Sequence, residues 1–250
     1  MKCRDSHDTT ACNEARKGTG DTVLLEGIHA CKHAIRFGAK IEVAYTNDST
    51  RTLTLMRALA GRDEANALSA VLTALPQPVF AQCAPNALRA GLIALAEHPH
   101  AAGAPAVPQE GPAIFLENPR DLENVGAVIR VAAGFGAEAV LVSGSNNPWH
   151  SNCIHASAGL HFALPVLRVE SANLPPHRPL IACTAEGENM YQATLPTNPI
   201  LAFGTERHGL SAALRGKASQ SLAIPMQPNV SSLNLATSVA AVLYGALRYG

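Results

Sequence analysis

From Pro112 onward, short runs that are apolar throughout alternate with runs long enough to form helices. The strand-like runs are "AIFLEN", "AVLVSG", "ALPVLRV", "PLIACTAE", "PILAFGTE" and "QSLAIPM"; between them lie "NVGAVIRVAAGFG", "SNCIHASAGL", "SAALRGKA" and the closing "NLATSVAAVLYGALR". A strand apolar on both sides must be covered on both sides, and intervening helices supply the crossovers that parallel pairing needs. The expected fold class is therefore α/β with a mainly parallel sheet. Ligands of such sheets bind beyond the carboxyl ends of the strands. Polar residues and glycines gather at those ends here: Glu117-Asn118, Ser143-Gly144, Thr184-Ala185-Glu186, Gly204-Thr205-Glu206 and Met226 onward.

The composition shifts between His98 and Pro112, where "HPHAAGAPAVPQEGP" reads as a semi-extended linker. Four segments are expected: a frayed, polar 1–20; a small α/β unit over 21–98; a linker over 99–111; and the parallel-sheet domain over 112–250. In the small unit, "LLEGIHACKHAIRFGAKIEVAYTN" predicts a helix from Gly27 to Phe37, a turn at Gly38 and a strand from Ile41 to Tyr45. "TLTLMRALA" and "ANALSAVLTAL" read as helices, "PVFAQC" as a strand, and "NALRAGLIALAEH" as a helix or a helix–strand pair.

Three segments carry polar chemistry. In "NPRDLENVGAVIRVAAGFGAEAVLV", Asn124 reads as a helix cap and Gly134 and Gly136 as its close, yet Arg130 stands among Val128, Ile129, Val131 and Ala132. Gly126 shares its helical face and would leave room for a ligand; the bland reading is an arginine that snorkels to the surface. In "FGTERHGL", Gly204 would expose backbone N–H and C=O groups and Glu206 could fix a hydroxyl or a cation. It is not a dinucleotide fingerprint. In "AIPMQPNVSSLNLATSVAAVLYGALR", a strand ends at Pro225-Met226, and Ser231 or Ser232 reads as the cap of a long, buried helix.

Bulk properties narrow the class. Hydrophobic residues make up 47% of 250, so a sizeable core is available. No apolar run is long enough for a membrane span and the first 20 residues hold no signal-peptide core, so the expected place is the cytoplasm. Six scattered cysteines form no CxxC pair, and no HExxH occurs; neither a disulfide framework nor a metal site is expected. The 19 basic residues match the 19 acidic ones, so a nucleic-acid reading must rest on local patches.

In this order, "NVGAVIR", "FGTERHGL" and "IPMQPNVSSLN", with "ASAGL" at 156–160 between them, resemble the SpoU (TrmH-like) branch of the SPOUT methyltransferases. That family carries N-x-G-A-x-x-R, then F-G-x-E-x-x-G-L, then I-P-M and S-L-N before a last helix. The resemblance covers residues 112–250. From "LLEGIHACKHAI" onward, the first unit resembles the small RNA-binding domain that often precedes the catalytic one.

The resemblance implies a C-terminal trefoil knot, an exception to unknotted topology, and methyl transfer from S-adenosylmethionine to a ribose 2′-hydroxyl in tRNA or rRNA. It implies cofactor contacts at Gly204, Ile224 and Leu233, with Thr184 and Met226 nearby. Catalysis would fall to Arg130, Asn124, Glu206, Ser232 and Asn234. It also implies a homodimer with each site at the subunit interface. Deprotonating an ordinary guanidinium at neutral pH costs about 7 kcal/mol, so a role for Arg130 in stabilising the developing alkoxide is favoured over that of a base. One departure is Leu235-Ala236, where the family often has Val-Ser. Two other classes stay open: an inactive RNA- or ribosome-binding protein on the same fold, and a small-molecule methyltransferase.

Overall fold

The computed structural model describes residues 2–83, 91–205, 208–230 and 232–249. The chain divides into two compact units, Met1–Ala104 with Trp149–Ala163, and Pro105–Pro148 with Leu164–Gly250.

In the first unit, chain order is α1 (Lys2–Lys17), β1 (Thr22–Glu26), α2 (Ile28–Arg36), β2 (Ile41–Thr46), α3 (Ser49–Leu59), α4 (Arg62–Val71), β3 (Leu72–Ala74), α5 (Gln77–Cys83) and β4 (Leu92–Glu97). The strands form a mixed sheet ordered β1-β4-β2-β3, antiparallel except for the β2–β3 pair. Two expectations are corrected here. The N-terminal stretch read as frayed is a helix, because Cys12 and Ala15 pack into a core with Leu24, Phe80 and Ile93. Arg16 pins it: Nη1 donates to the buried Glu26 carboxylate at 2.6 Å and Nη2 to the Cys83 carbonyl at 2.8 Å. "PVFAQC", read as a strand, is the body of α5, which buries Phe80 and Cys83 at a helical spacing. The helical half of "NALRAGLIALAEH" falls largely on 84–90, outside the described residues, and its second half is β4.

The segment 149–163, expected with the parallel sheet, groups with the first unit. Its single tryptophan, Trp149, stacks against His98 with ring centroids 4.6 Å apart, and against His161 and Phe162. Gly159 adopts φ +79°, and a Cβ there would meet the Ala30 carbonyl oxygen at 2.3 Å; only glycine lets the segment lie against α2. His33 Nδ1 lies 2.8 Å from the Ala158 carbonyl and donates to it.

The second unit runs β5 (Ala113–Leu116), α6 (Leu122–Gly134), β6 (Ala139–Val142) and, after α7 (Ser151–Ala156) in the inserted segment, β7 (Val166–Arg168), β8 (Leu180–Asn189), β9 (Ile200–Phe203), α8 (Ala212–Lys217), β10 (Gln220–Ala223) and α9 (Leu235–Tyr249). Its sheet is ordered β10-β8-β9-β5-β6-β7, and every pairing is parallel. The chain steps outward from β5 to β7, then crosses to the other side, so strand order reverses at β5 and β9. That reversal opens a crevice at the carboxyl ends. On one face Phe115, Leu141, Leu167 and Ala202 share a core with Leu210 and Leu214. α6 buries Val125, Val128, Ile129 and Ala132 and packs with α9.

Arg178 is the main tie of the proline-rich stretch to the sheet, beside bonds from Asn198 Nδ2 to the Gln109 carbonyl and from Glu110 N–H to Glu138. Arg178, only 4% exposed, donates to the carbonyls of Pro108, Gly111, Asn198 and Pro199. A guanidinium withdrawn from water is tolerated when its fork of donors is spent on carbonyls in this way.

Candidate active site

The carboxyl ends of β8, β9 and β10 enclose a cavity of about 480 Å3, a size suited to one cofactor. Three backbone features shape it. Along β8, Ser221 pairs with Ala182 but Leu222 pairs with Glu188, leaving 183–187 unmatched. This bulge turns Cys183, Thr184 and Ala185 into the cavity wall. Burial pushes the Cys183 thiol well above its ordinary range, so it lines the wall as a neutral group.

After β9 the chain folds straight back. Thr205 and Gly209 exchange backbone hydrogen bonds of 3.2 and 2.9 Å. A Cβ on Gly204 would lie 1.9 Å from the Gly209 carbonyl carbon, so no other residue fits that fold-back. Glu206, the carboxylate singled out from sequence, lies outside the described residues.

The third wall is the entry to α9, where Ser232, Leu233, Asn234 and Ser238 line the cavity. Neither serine singled out from sequence is seen to cap this helix: Ser231 is outside the described residues, and Asn234 takes the role. Its Oδ1 accepts the Ala236 amide at 2.9 Å, and its Nδ2 donates to Asn124 Oδ1 at 3.0 Å. The amide of Ala236, the departure noted from sequence, thus serves the cap. Asn124 is not a cap either. Asp121, with extended backbone, caps α6 by accepting from Glu123 and Asn124. Asn124 is the third residue of the helix, which frees its side chain to meet Asn234.

All five residues expected to touch the cofactor (Thr184, Gly204, Ile224, Met226 and Leu233) line this one cavity, with Ser232 and Asn234 beside them. Arg130 does not join them. It is exposed, and among the described residues it has no hydrogen bond or ion pair within the chain. Gly126 is buried in α6 rather than facing the cavity. Sequence reasoning missed Glu117 as a structural anchor, although its place at a strand end was visible.

The lining chemistry fits a nucleoside-like group carrying a sulfonium. Phe203, Leu222, Ile224, Met226 and Leu233 offer apolar surface for a base, and the strand-end backbone offers hydrogen bonds. Among the described residues no cluster of His, Cys, Asp or Glu could hold a metal ion, and no helix is long and apolar enough to cross a membrane.

Residues 111–244 match the SpoU rRNA Methylase family. The chain belongs to that family. A relative in Bacillus subtilis, the 23S rRNA (guanosine(2553)-2′-O)-methyltransferase RlmP, is 25% identical over 246 residues, 90% of this chain and 88% of that one. The ribosomal RNA small subunit methyltransferase G 2 of Syntrophobacter fumaroxidans is 39% identical over 138 residues, 52% of this chain but 26% of its own length. This SpoU-family chain spans about half the length of several other curated relatives it matches. Among solved structures, an RNA 2′-O ribose methyltransferase superposes with a TM-score of 0.77 at 28% identity, covering 98% of this chain and 95% of that one.

Proposed function

We propose that this SpoU-family chain transfers a methyl group from S-adenosylmethionine to a ribose 2′-hydroxyl of tRNA or rRNA. The observation that carries the reading is one cavity at the carboxyl ends of β8, β9 and β10, which gathers three sequence-distant loops and has on its wall Asn234, bonded to Asn124. When bound, S-adenosylmethionine would supply an electrophilic methyl on its sulfonium. The chain's task is then to hold the acceptor oxygen in line and to steady the charge that grows on it. Both ends of the Asn234 amide are engaged, so its orientation is fixed before substrate arrives. Ser232 lies beside it on the same wall, and Glu206 follows Gly204 by two residues in the sequence.

Arg130 is the residue a single chain leaves out. We place it in the active site of a second copy, in a homodimer whose interface includes the exposed apolar residues Val230, Leu233 and Tyr244 at and before α9. In that setting the guanidinium binds the phosphate beside the target ribose and stabilises the alkoxide. The same proposal includes threading of the C-terminal part of the second unit into a trefoil knot, selection of RNA by the first unit, and action in the cytoplasm.

The test joins two measurements. Isothermal titration should show uptake of S-adenosylmethionine by the purified protein. Mapping of 2′-O-methyl positions in tRNA and rRNA should show one site lost when the gene is deleted. An unchanged map, with no methyl transfer to total RNA in vitro, would leave the inactive-scaffold alternative standing; transfer to metabolite extracts instead would favour a small-molecule enzyme.

A further inference from the structure

We propose that Glu117 is the positioning residue for the cofactor wall, a clamp on both feet of the fold-back loop. The residue lies just past β5. Its backbone N–H donates to the Phe203 carbonyl at 2.9 Å, where the chain leaves β9 and enters the loop. Its carboxylate accepts two bonds from Ser211, where the chain leaves the loop: the backbone N–H to Oε2 and the hydroxyl to Oε1, each at 2.7 Å. Ser211 Oγ in turn accepts from Leu214 N–H at 3.1 Å and so caps α8. Between these two anchored points lie Gly204, Thr205 and Gly209, all on the cavity wall.

The clamp acts because, among the described residues, few other bonds hold the loop. Its internal closure is the Thr205–Gly209 pair and a bond from His208 N–H to Thr205 Oγ1 at 3.1 Å. Leu210 is buried and fixes the far end in the core, but the cavity-facing residues are half-exposed or exposed. A bidentate bond to an ionised carboxylate is stronger than either neutral bond and sets direction as well as distance. Glu117 does not itself line the cavity, so its influence on cofactor passes through the loop.

The inference rests on the cofactor reading of the cavity, so its test carries one readout that does not. In Glu117→Ala, amide hydrogen exchange at Thr205 and Gly209 should accelerate while α6 and α9 keep native protection. The dissociation constant for S-adenosylmethionine should rise about tenfold, and the loss should fall on KM for cofactor rather than on kcat. Glu117→Gln keeps one acceptor and should recover most of the affinity. Ser211→Ala removes the hydroxyl bond to Glu117 together with the cap on Leu214 N–H, leaves the backbone bond in place, and should show a smaller change of the same kind, which serves if Glu117→Ala fails to fold. Unchanged exchange at Thr205 and Gly209 in the folded variants would overturn the clamp, as would equal affinity in all three. Should the native protein take up no cofactor, the proposed function falls, and the exchange result alone decides for or against the clamp.

Discussion

At the scale of single residues, the pair Asn124–Asn234 combines two duties that mutation can separate. Asn234 caps α9 through its carbonyl oxygen and orients Asn124 through its amide nitrogen. Asn234→Ala removes both and should cost about 1 kcal/mol of stability, the usual worth of a cap, together with most of the activity. Asn234→Asp keeps the acceptor for Ala236 N–H but loses the donor to Asn124. It should unfold at nearly the native denaturant midpoint and still lose methyl transfer. Equal activity in native and Asp forms would show that the cap is all the residue does. His98 offers a second test. Burial beside Trp149 lowers its pKa to about 4, with His100 adding to the shift and Asp21 opposing it. Its Nδ1 accepts the His100 backbone N–H at 3.0 Å, a bond that needs the nitrogen unprotonated. The unfolded chain takes up this proton near pH 6.5 and the folded chain only near 4. The stability from neutral His98 is therefore whole above pH 6.5 and lost as pH falls toward 4, by at most about 3 kcal/mol. Urea unfolding followed by the fluorescence of Trp149 should show a midpoint falling across that window. His98→Phe should make the fall shallower, the remainder coming from His100, His33 and His150, whose pKa values burial also lowers, and a native midpoint constant from pH 7 to 4.5 would refute it.

At the scale of elements, the legible parts were those whose pattern is local. β5, β6 and β9 are apolar at every position and flanked by proline, glycine or polar residues, so type and place could be read directly. α6 and α9 carry long helical stretches and were equally plain. α1 was not: its buried contacts rest on Cys12, Ala15 and the stem of Arg16, and the decisive partner, Glu26, lies ten residues on. α5 has only seven residues, too few to display a period, and Val79-Phe80 inside it favour a strand on propensity. The association of 149–163 with the first unit arises from Trp149 and Gly159 meeting residues far off in sequence, which no local pattern encodes. The cavity was legible for a related reason. Its lining residues stand where strands end, and a parallel sheet places all those ends on one edge. The bulge at 183–187 and the clamp at Glu117 depend on register and on side-chain contacts between strands, so sequence reading passed over them.

At the scale of the whole molecule, the proposed role of Arg130 requires an exposed arginine to reach a cavity it does not line. Arg130 is six residues beyond Asn124 on α6, about 9 Å farther along the axis at 1.5 Å per residue. The rotation between them also turns the two side chains to different sides of the helix. Within one chain Asn124 meets Asn234, while Arg130 is exposed and does not line the cavity. A two-fold dimer can bring Arg130 to a cavity, because each interface residue then meets the other copy's site. The proposed pairing makes a quantitative statement about mixtures. Arg130→Ala and Asn234→Ala, each inactive alone, should regain activity when unfolded together and refolded at equal concentration. Half of the dimers would be mixed, and each mixed dimer would hold one site with native Arg130 and native Asn234 and one with neither. The mixture should therefore reach about a quarter of the native rate, with sedimentation showing a dimer throughout. If both residues served the same chain's site, every site in every dimer would lack one of them, and the mixture would stay at the rate of the single variants.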